Sequence, residues 1–164
     1  MDRAAFERAM ELGADEMMPC MSPLGYPAKK MSIKEGLMRK GVKADSRNPF
    51  ESMFFDSSFS SPLTPEKAGR LAHPLEMVRW APSATNRQPW RVVATRKGAH
   101  FYLKHTKGFV SKAAGDMQKI DMGIALCHFA LAAEESGLDA EFCISDPEIA
   151  AAPDTEYIAS YLFR

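Results

Sequence analysis

The stretch Ala81-Pro82-Ser83-Ala84-Thr85-Asn86-Arg87-Gln88-Pro89-Trp90 concentrates hydroxyl and carboxamide side chains between a predicted helix end and a predicted strand start. Ser83 and Thr85 can donate or accept, Asn86 and Gln88 do both, and the loop backbone adds N–H groups. Such a set suits the polar edge of a planar ligand. The same residues also make an ordinary capped turn with Trp90 in the core, and ligand sites are few in any protein. Residue types alone leave both readings open. Ser83 has no His and Asp partners in a recognisable order, so a hydrolase triad is not supported.

A second cluster is basic. Lys29, Lys30, Lys34, Arg39, Lys40, Lys43 and Arg47 are opposed only by Glu35 and Asp45. A solvated helix face explains such a run. Phosphate attraction is the other reading, but no nucleic-acid-binding motif accompanies it. The histidines, His73, His100, His105 and His128, lack metal-ligand spacing. His128 reads as a core histidine with one hydrogen bond, and His100 and His105 as solvent-facing residues flanking a strand. Cys20, Cys127 and Cys143 are odd in number and far apart, which fits neither a zinc site nor a disulfide framework.

The elements that would hold these groups follow from pattern and punctuation. A short helix around Phe6, Ala9 and Met10 ends near Gly13. Met17–Leu24 reads as a short buried strand before the turn at Gly25-Tyr26-Pro27. Ser32 with Glu35 is a capping box for a second helix. Residues 44–64 read as an irregular crossing segment whose phenylalanines, Phe50, Phe54, Phe55 and Phe59, dock on another surface. Thr64-Pro65-Glu66 opens a helix that Pro74 kinks or restarts before Trp80. Pro89–Thr95 and His100–Lys104 form a hairpin about Gly98. Asp116–Ser136 is the clearest helix. It is apolar along Met117, Ile120, Ile124, Cys127 and Leu131 and again along Met122, Leu126, Phe129 and Ala130, so both sides need cover. Strands Ala140–Ile144 and Tyr157–Phe163 complete an α+β chain.

Bulk properties narrow the classes. The chain has 164 residues, 46% of them hydrophobic and 26% charged, with 21 basic and 21 acidic side chains. That is enough for a buried core, and it excludes a polycation or an acidic tail. The most apolar run, Ile124–Ala133, is too short for a membrane helix, which takes roughly twenty residues. The N-terminus has no signal-peptide core. A reducing cytoplasm, with no membrane and no nucleic-acid partner, is the expectation.

Ala81-Pro82-Ser83-Ala84-Thr85-Asn86-Arg87-Gln88-Pro89-Trp90-Arg91 resembles the APSxxNxQPW signature of nitroreductase-like flavoproteins. Asp121-Met122-Gly123-Ile124-Ala125, with Leu131-Ala132-Ala133-Glu134 and Gly137-Leu138, is similar to that family's central helix. Ser22-Pro23-Leu24-Gly25-Tyr26-Pro27 is similar to its Gly-Tyr-Pro strand end. The resemblance implies a nitroreductase-like fold, a mainly antiparallel sheet flanked by helices with a long central helix. It also implies FMN as cofactor and NADH or NADPH as reductant. For the flavin ring it points to Ser83 and Asn86, with Pro82 shaping the turn and Gln88 beside them. For the phosphate it points to Arg47 and Lys43. No side chain is assigned a catalytic step, and no metal is implied.

The order of the motifs, Gly-Tyr-Pro before Pro82-Ser83, resembles the tandem version of the family, in which one chain imitates a homodimer. On that basis residues 1–62 are the tail of a first unit with its crossing segment, and 63–164 are a second unit. The family's Arg-x-Ser-x-Arg and glycine-rich segments are not found, so the expectation is an N-terminally truncated chain that self-associates or pairs with the missing half. The implied activity is electron transfer from NAD(P)H through flavin to a small-molecule acceptor such as a nitroaromatic or a quinone. The rival is a non-catalytic flavin- or nucleotide-binding remnant, or a fragment that docks a partner.

Overall fold

The structure is a computed structural model that describes residues 3–16, 18, 24–26, 29–111 and 115–164. Most of the strand expected over Met17–Leu24, and half of the Ser22–Pro27 motif, lie outside the described residues. Leu24 and Tyr26, which are described, are exposed.

A five-stranded mixed sheet runs in the order β1 (Phe54–Asp56), β2 (Trp90–Ala94), β3 (Gly98–Lys104), β7 (Thr155–Phe163) and β6 (Ala140–Cys143). β1 pairs parallel to β2, and the other pairs are antiparallel. A two-stranded ribbon, β4 (Val110–Ser111) with β5 (Gly115–Asp116), precedes the long helix. Alternation sorts the sheet residues between two faces. Phe54, Trp90, Val92, Phe101, Leu103 and Tyr161 join the core, into which helices α4 (Ala72–Trp80) and α5 (Met117–Glu135) insert Leu75, Val78, Met122 and Phe129. This is the α+β architecture expected.

β1 is a strand where an irregular segment was expected. Its three residues hold because Phe54 and Phe55 register against Val92 and Val93. The expected docking of aromatics is present on the rear face. The Phe59 ring lies 5.0 Å from Tyr102 and 5.3 Å from Phe55. The expectation of a solvent-facing His100 is corrected, because it is only 4% exposed. Its Nδ1 lies 2.8 Å from the Ser160 hydroxyl and its Nε2 3.2 Å from that of Thr95. Burial pushes its imidazole pKa below the ordinary value.

Local signals explain the helices. Ser32 accepts the Glu35 N–H at the start of α2 (Ile33–Gly41). Thr64 caps α3 (Pro65–Ala68) with proline at its first position. Gly69, at φ 54°, ends α3, and α4 restarts at Ala72, leaving Pro74 in the first turn where no N–H bond is owed. A further short helix, α1, spans Arg3–Ala9. Asp116 caps α5 through the Gln118 N–H, and Gly137 at φ 66° closes it, with Leu138 N–H returning to Ala133 O.

The two apolar sides of α5 have different fates. Met122, Ala125 and Phe129 are fully buried, whereas Met117, Ile120, Cys127 and Leu131 are exposed, Leu131 at 62%. α2 contributes no buried residue, and its Ile33 is 92% exposed. No helix among the described residues is long and apolar enough to cross a membrane.

Candidate functional site

The loop between α4 and β2 is held in an unusual conformation. Thr85, Asn86 and Gln88 have φ of 48°, 56° and 50°, in the left-handed region that L-residues with a Cβ avoid at roughly 1–2 kcal/mol each. Several anchors overdetermine it. Ser83 Oγ accepts the Gln88 N–H at 2.8 Å, and Asp121 Oδ1 accepts the Ala84 N–H at 3.0 Å. The Gln88 carboxamide accepts the Asn48 N–H at 2.8 Å and donates to the carbonyl and side-chain oxygens of Asn86.

Asn86 is the most heavily bonded of the group. Its Nδ2 donates to Lys43 O at 2.7 Å and Ser46 O at 3.0 Å, and its Oδ1 accepts from Gln88 and from Arg47. Both N–H donors and both lone pairs are therefore spent inside the protein. Gln88 is buried, and its carboxamide is engaged likewise. These two carboxamides staple the crossing segment to the loop.

Arg47 is the principal charge facing the cleft. Its Nη1 donates to Ala44 O and Ser46 O and lies 3.4 Å from Asn86 Oδ1; its Nη2 donates to Trp80 O at 3.2 Å. Its Nε is buried with no acceptor among the described residues. The guanidinium sits 5.1 Å from the centre of the Trp80 ring. Trp80 is itself held by its indole N–H on Glu76 Oε1 at 2.7 Å. Arg79 grips the same carboxylate at 2.6 and 2.7 Å, which holds Glu76 below the usual carboxylate range.

A cleft of about 450 Å³ opens here, lined by Arg39, Arg47, Trp80, Pro82, Ser83 and Asn86 among others. Arg39 is paired with Asp45 at 2.5 Å on its rim. A second depression, about 480 Å³, lies on the other side of Asn86 and includes Lys43, Arg87 and Gln88. The expected site residues are thus gathered around one loop but divided. Pro82, Ser83, Asn86 and Arg47 line the first hollow, and Lys43 and Gln88 the second.

Two contributors were missed from sequence. Trp80 read as the last residue of a helix, yet it is 47% exposed and forms a wall of the cleft. Asp121 is only 4% exposed. Its signal was a polar residue on the buried stripe with Met122, Ala125 and Phe129. Burial pushes its carboxyl above the ordinary value, although the Ala84 N–H opposes this. An acid raised in the folded state binds more protons there than in the unfolded chain. Its contribution to stability is therefore lost as pH climbs from the unfolded value through the folded one.

A protein-family model described as "Putative TM nitroreductase" matches residues 3–133, a span holding α1, α2, the site loop and nearly all of α5. The chain belongs to this nitroreductase family. No curated protein and no solved structure matches it. Membership makes an oxidoreductase the function to test against the nitroreductase chain's own cleft. The cleft brings together groups an anionic, planar ligand would use: the Arg47 guanidinium, whose Nε–H has no acceptor among the described residues, a Ser83 hydroxyl with a proton to donate, and the exposed Trp80 ring.

Proposed function

We propose that this chain is an FMN-dependent oxidoreductase of the nitroreductase type, passing electrons from NADH or NADPH to a nitroaromatic, quinone or similar small acceptor. The observation that carries the reading is the Arg47 guanidinium lining a cleft with Ser83 and Trp80, its buried Nε–H without an acceptor among the described residues. A guanidinium whose backbone-facing donors are already fixed is pre-oriented, so an anion entering the cleft meets a positive charge that is already in place. Lys43, across Asn86, adds positive charge to the same region. Ser83 offers a fixed donor to the ring edge, where reduction gathers negative charge, and Pro82 shapes the turn that presents it. Asn86 and Gln88 act by holding the loop. Bound flavin would supply hydride acceptance and onward delivery, while the protein binds, orients and tunes it.

The tandem arrangement belongs to this proposal. Arg47 comes from the segment assigned to a first unit and Ser83 from that assigned to a second, so the cleft lies on a seam between two similar units. A cytoplasmic setting, with its nicotinamide pool, goes with it. The test is the visible spectrum of the purified chain with FMN. A yellow protein bleached by NADH or NADPH under anaerobic conditions and recoloured by a nitroaromatic is the expected result. A colourless preparation that takes up no FMN would overturn the reading.

The exposed side of α5, with α2 carrying no buried residue, favours a second reading, in which the chain docks a partner and is not itself catalytic. In either case contiguous apolar surface of this kind drives association. The isolated chain is expected to elute above its 18.2 kDa mass in size-exclusion chromatography with light scattering. A monodisperse monomer would show that these faces need no cover.

A further inference from the structure

We infer that Asp121 is a positioning residue. It holds the Ala84 N–H so that the left-handed turn after it presents Ser83 to the cleft, and it does so at the expense of folding stability. The inference rests on the reading of that cleft as a flavin site, and it concerns a group outside the cleft lining.

Three observations converge on it. Asp121 lies on the buried face of α5, and its Oδ1 reaches out of the helix to the Ala84 N–H at 3.0 Å. Its Oδ2 is buried and has no hydrogen-bond partner among the described residues. The loop segment it holds is strained. Ser83 is extended at φ −146°, and the chain then turns left-handed at Thr85 and Asn86 before Gln88 N–H closes back on Ser83 Oγ.

A half-satisfied carboxylate in a core is an unfavourable residue there. An apolar side chain would remove its desolvation penalty, and an amide would reduce it. A residue whose work was stability would not leave one oxygen bare on a helix face that also buries Met122, Ala125 and Phe129. What the carboxylate supplies is a strong acceptor at one point: the amide that begins the strained turn. Strained backbone persists only where such anchors overdetermine it. With the Ala84 N–H released, the turn can relax, and the Gln88 N–H leaves the Ser83 hydroxyl with it. Positioning and stability are then expected to move in opposite directions when the carboxylate is removed, which a packing residue would not do.

The experiment uses the full chain and two substitutions, Asp121→Asn and Asp121→Leu, with three readouts: hydrogen exchange at the Ala84 and Gln88 amides, thermal unfolding, and FMN affinity by flavin fluorescence. Asp121→Asn keeps an oxygen for Ala84, so slow exchange should persist, with FMN affinity within about threefold of the native chain. Asp121→Leu should speed exchange at both amides at least tenfold and weaken FMN at least tenfold. Its unfolding midpoint should equal or exceed the native one. Unchanged exchange at Ala84 in Asp121→Leu, or failure of Asp121→Asn to preserve it, would overturn the inference. So would a lowered midpoint with exchange rising equally along β2 and β3, because that marks a packing role. Should the native chain bind no FMN, the flavin reading falls, and the exchange and unfolding results still decide the role of Asp121.

Discussion

Truncating Phe129 to alanine is expected to remove about 3–5 kcal/mol of folding stability, the usual loss for a buried phenylalanine. Its ring is fully buried in the middle of α5 and lies 5.4 Å from Phe101 on β3 and 5.1 Å from Tyr161 on β7. Phe101 and Tyr161 also meet each other at 6.1 Å, so the three rings form one cluster joining helix to sheet. Such pairs contribute about 0.5–1.5 kcal/mol beyond the area they bury. Domains of this size retain only about 5–15 kcal/mol in total, so the loss would be a large share of it. At about 2–4 °C per kcal/mol the melting midpoint should fall by roughly 10 °C. Phe129→Leu, which leaves a smaller void, should fall less. Chemical denaturation of the two variants and the native chain checks this. A loss below about 1 kcal/mol for the alanine variant would mean that the ring is not packed between α5 and the sheet.

The second large effect is functional. Arg47→Met keeps much of the aliphatic stem over Trp80 but removes every donor. Hydrogen bonds to charged groups contribute about 1.5–3 kcal/mol each. Losing the guanidinium should therefore weaken FMN by about 2–4 kcal/mol, or roughly 30- to 1,000-fold. Arg47→Lys keeps the charge but not the planar fork and should fall between the two. Because Arg47 also bonds Ala44, Ser46 and Trp80, unfolding must be measured beside affinity. Riboflavin, which lacks the phosphate, supplies the internal control: its affinity should change far less than that of FMN. Equal losses for both flavins would show that Arg47 supports the loop and does not hold the phosphate.

What could be read from sequence was what local chemistry decides. Ser32, Thr64-Pro65, Asp116 and Gly137 punctuate their helices where the residue types place them, because a cap needs only its nearest neighbours. The β2–β3 hairpin was legible for the same reason. β1 was not, because a three-residue parallel strand exists only through a partner nearly forty residues away. His100 was misplaced because the partner that receives it, Ser160 on β7, is remote in sequence. At the site, the loop announced itself by composition, but the fate of its groups did not. Asn86 looked like a ligand donor, and its hydrogen-bonding capacity is taken up by Lys43 O, Ser46 O, Gln88 and Arg47. Asp121 and Trp80 carried only the faint signals of a polar residue on a buried stripe and an aromatic residue at a helix end.

The most direct test of the account is a titration of the native chain and Arg47→Met with FMN at low ionic strength, followed by flavin fluorescence and the visible band. Saturable quenching with a structured shift of the band in the native chain, weakened by salt and largely lost in Arg47→Met, is the expected result. A flavin spectrum unchanged by the native protein, or equally changed by both proteins, would contradict it.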